Sequence, residues 1–117
     1  MKRVIIIIRP NKYFKTKQAL IAKGFYSSTS KEVLGRGKKR VNYVLNTENG
    51  EIDNSVYQMV AKRMFDIYVT DQDVDKLIDV VLSVNKTGNS GDGKIFILPV
   101  DNCQRIRTGE TGDDAIM

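Results

Sequence analysis

Residues 64–84 read MFDIYVTDQDVDKLIDVVLSV, and the hydrophobic period changes inside them. From Met64 to Val69 the residues alternate, placing Phe65, Ile67 and Val69 on one face of a strand. From Val74 onward, Val74, Leu77, Ile78, Val81 and Leu82 fall at i, i+3, i+4, i+7 and i+8, the stripe of an amphipathic helix packed on a core. Thr70 and Asp73 have capping-box spacing at the join. A strand therefore runs almost directly into a helix.

The same reading extends in both directions. Downstream, Gly88, Gly91 and Gly93 break the chain, Ile95–Val100 forms a last apolar strand, and a polar tail covers 101–117. Upstream, the β-branched run Val4–Ile8 predicts a buried central strand, stopped by Arg9-Pro10. Asn11 is placed to cap a helix to about Lys23, with Phe14, Ala19, Leu20 and Ile21 as apolar positions and Gly24 as its stop. Residues 28–35 give a weaker strand. Residues 36–60 keep no period, and so long a stretch in a small domain marks a functional or disordered loop. The order is β-α-β-β-α-β, an α+β fold of the ferredoxin-like type in one domain spanning 1–117. Its four-stranded antiparallel sheet carries two helices on one face. The other face is left bare, so another chain is expected to cover it.

The charge is uneven. The chain of 117 residues has a net charge of +5, yet residues 1–40 hold twelve Lys/Arg against the single acid Glu32, a net +11. Such a basic half suits nucleic acid, a membrane surface or a phosphorylated ligand, or is simply a solvated face. Cys103 is the only cysteine, so no internal disulfide forms and a reducing cytoplasm is expected. The chain has no histidine. A Ser-His-Asp triad is thereby excluded, and Cys103 lacks the usual base. The run Val4–Ile8 is too short to cross a bilayer and no cleavage site follows it, so no membrane insertion is expected.

Three segments are suited to phosphate. In Gly35-Arg36-Gly37-Lys38-Lys39-Arg40, paired glycines allow close backbone approach and four cations neutralise an anion; a solvated basic turn has the same composition. Thr87-Gly88-Asn89-Ser90-Gly91-Asp92-Gly93-Lys94 matches the P-loop skeleton. Ile95 stands in place of the required hydroxyl residue, however, and a strand follows in place of a helix, so it is not a Walker motif. It can still form a nest of backbone N–H groups, or be an ordinary glycine-rich turn. Arg105-Ile106-Arg107, if extended, projects both guanidinium forks to one side as a polyphosphate clamp; the alternative is a pair of surface ion pairs.

Taken together, these residues resemble a known family. Thr87-Gly88, Gly91-Asp92-Gly93-Lys94-Ile95-Phe96 and Arg105-Ile106-Arg107-Thr108-Gly109-Glu110 look like the B-loop, last strand and C-loop of PII signalling proteins, and Ile8-Arg9-Pro10-Asn11-Lys12 resembles the PII start. Val33 to Lys38 and Val84 to Asn89 look most like the nitrogen-fixation branch, in particular the second of its two paired proteins. The resemblance implies a trimeric core that binds ATP or ADP in clefts between subunits. By similarity, Thr29, Gly35, Gly37, Lys38, Tyr68, Thr87, Gly88, Gly91, Asp92, Gly93 and Lys94 surround the nucleotide, with Arg105 and Arg107 supplied by the neighbouring chain. Lys62 falls where the family pairs a lysine with 2-oxoglutarate. Family members that bind Mg2+ with 2-oxoglutarate usually carry glutamine in the place of Lys39, which leaves the metal open and places Lys39 at the keto acid. Tyr43 and Tyr57 lack the Arg-Gly-x-Glu-Tyr context of the uridylylated tyrosine.

The function implied by the resemblance is regulation without catalysis. The partners would be a nitrogenase component and either identical subunits or a paired PII protein, with the loop at 36–60 as effector. Alternatives are a PII-like regulator of an ammonium transporter or of glutamine synthetase, and a small nucleotide-hydrolysing enzyme. No nucleic-acid partner is expected, because the strands lack the aromatic stacking positions of an RNA-binding sheet.

Overall fold

A computed structural model describes residues 1–37 and 59–116. The elements are β1 (Lys2–Ile8), α1 (Tyr13–Ala22), β2 (Thr29–Gly35), β3 (Val60–Val69), α2 (Val74–Asn85), β4 (Lys94–Pro99) and a short α3 (Asp113–Ile116). The sheet order is β2-β3-β1-β4, and every neighbouring pair is antiparallel. This is the expected ferredoxin-like architecture.

One sheet face meets the helices. Val4, Ile6 and Ile8 of β1, Phe65, Ile67 and Val69 of β3, Leu20 of α1 and Leu77, Val80 and Val81 of α2 form the buried core. Full burial of such side chains stabilises by about 1.5–3 kcal/mol each. The α2 stripe sits slightly rotated from the expected one. Val80 and Asn85 are buried, whereas Leu82 is 44% exposed.

The helix ends differ from the sequence expectation. Asn11 lies inside a 3-10 turn, Pro10–Lys12, and caps nothing. Proline suits the first position of such a turn, having no N–H to satisfy. The start of α1 is held by the Thr16 hydroxyl donating to the Lys12 carbonyl at 2.7 Å. The α1 stop is as expected, with Gly24 at φ +90°. Gly24 N–H bonds the Ile21 carbonyl and Phe25 N–H the Leu20 carbonyl, a Schellman pair. Thr70 and Asp73 do not make a capping box. The Thr70 hydroxyl bonds the Asp73 carboxylate at 3.2 Å, over a 3-10 turn that precedes α2.

The second sheet face is left largely open by the described residues. Tyr68, Phe96 and Leu98 are 46%, 46% and 36% exposed. In their midst Arg3 and Asp66 form a fork-like pair, with Nη2 2.8 Å and Nε 3.0 Å from the carboxylate oxygens. Asp66 is what holds the Arg3 pKa up.

Candidate functional site

The glycine-rich turn joins α2 to β4, and its fold is fixed from inside. Asp92 accepts hydrogen bonds from the Thr87 hydroxyl at 2.5 Å, the Thr87 amide at 2.8 Å and the Gly88 amide at 3.0 Å. Those bonds, led by the Thr87 hydroxyl and joined by Arg9, hold the carboxyl well below the usual carboxylate range. The nest expected to take an anion thus already contains one belonging to the chain. Gly93 sits at φ +115°, and a Cβ there would overlap the Ile7 carbonyl. The close approach follows from the β1–β4 register, which pairs Ile7 with Lys94.

Two cations strap this turn to the sheet. Arg9, one residue beyond β1, places Nη1 2.5 Å from Asp92 Oδ1 and donates from Nη2 to the Ser90 carbonyl at 2.8 Å. Lys62 of β3 donates to the Gly91 carbonyl at 2.9 Å. Burial lowers the Lys62 pKa, the Arg9 charge lowers it further, and Asp92 only partly opposes this. Arg9 and Lys62 thus face one carboxylate, with Lys94 following at the head of β4. The cluster is net positive, and a polyanion would relieve its self-repulsion. Arg9 was not singled out from the sequence. It lies 83 residues from Asp92, and only the pairing of β1 with β4 brings the two together.

The remaining candidates fall into separate groups. Gly35, at the end of β2, packs beside Lys62, 3.7 Å from its Cγ to a Cβ built on the glycine. Gly37 follows it. Lys38 and Lys39, and with them the expected loop, lie outside the described residues apart from Arg36, Gly37, Met59 and Val60. Thr29 and Tyr68 lie toward the opposite end of the sheet, where Thr29 pairs with Asp66 and Tyr68 with Arg3. Lys62 and Tyr68 are six residues apart on one strand, a span of roughly 20 Å.

Arg105 and Arg107 do not lie on an extended strand. The segment is a tight turn closed by Gly109 N–H to the Arg105 carbonyl at 2.8 Å, flanked by a bridge between Gln104 and Thr111. Gly109 permits it at φ +77°. Arg105 bonds Glu110 at 3.3 Å and the Asp114 carbonyl at 3.3 Å, while Ile106 is wholly exposed at the tip.

The chain belongs to the PII family of nitrogen regulatory proteins: the family model "Nitrogen regulatory protein P-II" matches residues 1–110. Within that family it falls with the second nitrogen-fixation protein. It is 39% identical over 122 residues to "Nitrogen fixation nifHD region GlnB-like protein 2" of Methanobacterium ivanovii, covering all of both chains. It is 43% identical over 121 residues to the protein of that description from Methanothermobacter marburgensis, covering 99% of this chain and 100% of the other. A crystal structure of Arabidopsis thaliana PII bound to citrate superposes with TM-score 0.75 at 30% identity, over 98% of this chain and 88% of that one. Among the described residues no helix is long and apolar enough to cross a membrane.

Proposed function

We propose that this protein is a cytoplasmic, non-catalytic regulator that binds ATP or ADP in clefts between the subunits of a trimer. It responds there to 2-oxoglutarate and controls a nitrogenase component by direct binding. The observation that carries this reading is the division of the candidate residues. Gly35, Lys62 and the turn at 87–94 cluster at one end of the sheet, whereas Thr29, paired with Asp66, lies roughly 13 Å and Tyr68 roughly 20 Å from Lys62 along β3. Tyr68 and the turn, at opposite ends of β3, fit two halves of a shared site better than one site within a single chain. A second chain beside the first supplies the missing half, together with Arg105 and Arg107, and covers the bare apolar face.

The turn supports this reading chemically. Asp92 acts from inside as a scaffold, leaving Lys94 and the glycine backbone toward the phosphates. Arg9 and Lys62 offer positive charge beside them, where a dicarboxylate such as 2-oxoglutarate would pair with Lys62. Lys39 would take the electrostatic role of the magnesium itself, pairing with phosphate or the keto acid: a protonated lysine has three donors and no acceptor, so it cannot hold the metal. Full 2-oxoglutarate sensing then calls for a paired PII protein in a mixed assembly. The Thr87 hydroxyl donates to Asp92, whose lowered pKa makes it a weak base, and this favours binding over hydrolysis. Calorimetric titration with ATP, ADP and 2-oxoglutarate, with and without the paired protein, tests the scheme. Saturable nucleotide binding with no hydrolysis is expected; turnover of the nucleotide would refute it.

A further inference from the structure

A groove of about 400 Å3 lies on the helix side of the sheet, between the start of α1 and the ends of β2 and β3. Phe14 and Leu34 both line it, 72% and 66% exposed. Its lining is ordered by packing. Tyr13 stacks on Phe65 at 5.2 Å, carries the Arg63 guanidinium 3.8 Å from its ring centre, and bonds Ser30 at 3.0 Å. Arg63 also reaches Glu32 at 3.3 Å, while its buried Nε–H has no hydrogen-bond partner among the described residues.

The chain that forms the helix side of the groove is cationic in sequence. No Asp or Glu occurs from Met1 to Lys31, and Lys12 and Lys15 flank Tyr13 and Phe14 in the chain. Glu32, the one acid lining the groove, is paired with Arg63. Two exposed apolar side chains in a cationic frame select an occupant that is acidic and carries a large apolar side chain. A nucleic-acid strand fits less well, because it needs free aromatic faces for stacking and the Tyr13 ring is already stacked by Phe65 and Arg63.

We propose that this groove docks an acidic segment of a protein partner, with a large apolar side chain seated between Phe14 and Leu34 and flanking carboxylates meeting Lys12 and Lys15. The inference rests on the reading that the protein works by binding a protein target, and it places a contact on the helix side of the sheet, at residues other than those of the loop at 36–60.

The test is an NMR titration of the 15N-labelled full chain with the amidated peptide Asp-Glu-Phe-Glu-Asp. Saturable shifts confined to Tyr13, Phe14, Leu34 and Arg63 are expected, with a dissociation constant of about 0.1–1 mM. Phe14→Ser, at an exposed position, and separately Lys12→Glu with Lys15→Glu, should each weaken binding by about tenfold. Peptides with Gly in place of Phe, or Lys in place of the acids, should not saturate. The proposal is overturned if the acidic peptide fails to saturate, if Phe14→Ser binds as wild type, or if an oligothymidylate or the basic peptide binds more tightly at the same residues. It is equally overturned if a second copy of the chain shields the groove. The titration needs neither nucleotide nor nitrogenase, so its failure is distinct from failure of the regulatory reading.

Discussion

Arg9 Nη1 stands 2.5 Å from Asp92 Oδ1, and this contact ties the exit of β1 to the turn that opens β4. The same carboxylate closes the turn on Thr87 and Gly88. One side chain thus organises the loop and fixes its position against the sheet.

Asp92→Asn should loosen the turn and weaken ATP binding without unfolding the protein. The folded-state pKa of Asp92 is depressed, so its carboxylate contributes stability above the ordinary carboxylate range and loses it as pH falls toward the folded value. The urea midpoint of wild type should exceed that of Asp92→Asn at neutral pH, and the gap should narrow at about pH 3. A gap that stays constant with pH would argue that the charge of Asp92 is irrelevant.

Gly93→Ala should be among the most damaging single changes in the chain. The new Cβ meets backbone, the Ile7 carbonyl, which cannot move without disturbing the β1–β4 ladder, and φ is +115° besides. A loss of about 2 kcal/mol or more is expected in denaturant unfolding. Gly109→Ala meets no atom within 4 Å and should cost less, only its backbone strain at φ +77°.

How far the sequence could be read differs by segment. The strands and α2 were legible because their apolar periods reflect one shared buried face, as Phe65, Ile67 and Leu77 show. The continuous run at 4–8 was legible as central because its two faces are both apolar, although among the described residues the helices cover only one of them. Asn11 misled because Pro10 starts a 3-10 turn ahead of α1. For Arg105 and Arg107 the sequence left extension as a condition only, and Gly109 closes a turn there instead. The glycine-rich turn was visible as a motif, but its inward Asp92 was not. That depends on Arg9 and Lys62 arriving from strands distant in sequence.

Lys62→Met should abolish the response to 2-oxoglutarate and weaken ATP binding to a smaller extent, since Arg9 still holds the turn. Because burial and Arg9 lower the Lys62 pKa, an anion paired with it raises that pKa and binding takes up a proton at alkaline pH. Dicarboxylate affinity measured by calorimetry should fall as pH rises far enough to deprotonate Lys62, and earlier than it would for an unburied lysine. The methionine variant should show neither the affinity nor the dependence.

Lys39→Gln should give the homomer magnesium-dependent 2-oxoglutarate binding in the presence of ATP, since an amide oxygen can ligate the metal and an ammonium cannot. Titration with and without Mg2+ checks it. Tight magnesium-dependent binding by the unaltered homomer would remove the role assigned to Lys39.

The composite site is tested most directly by subunit mixing. One variant carries Lys94→Glu and the other Arg105→Ala with Arg107→Ala, so that each loses a different half of the cleft. The arginine variant alone should lose about 1.5–3 kcal/mol of ATP binding per charged hydrogen bond. If the halves come from different chains, unfolding and refolding the two variants together at equal amounts rebuilds about one quarter of the clefts with both halves intact. Calorimetry should then show that fraction binding ATP with wild-type affinity. No recovery in mixed, assembled trimers would contradict a site shared between subunits.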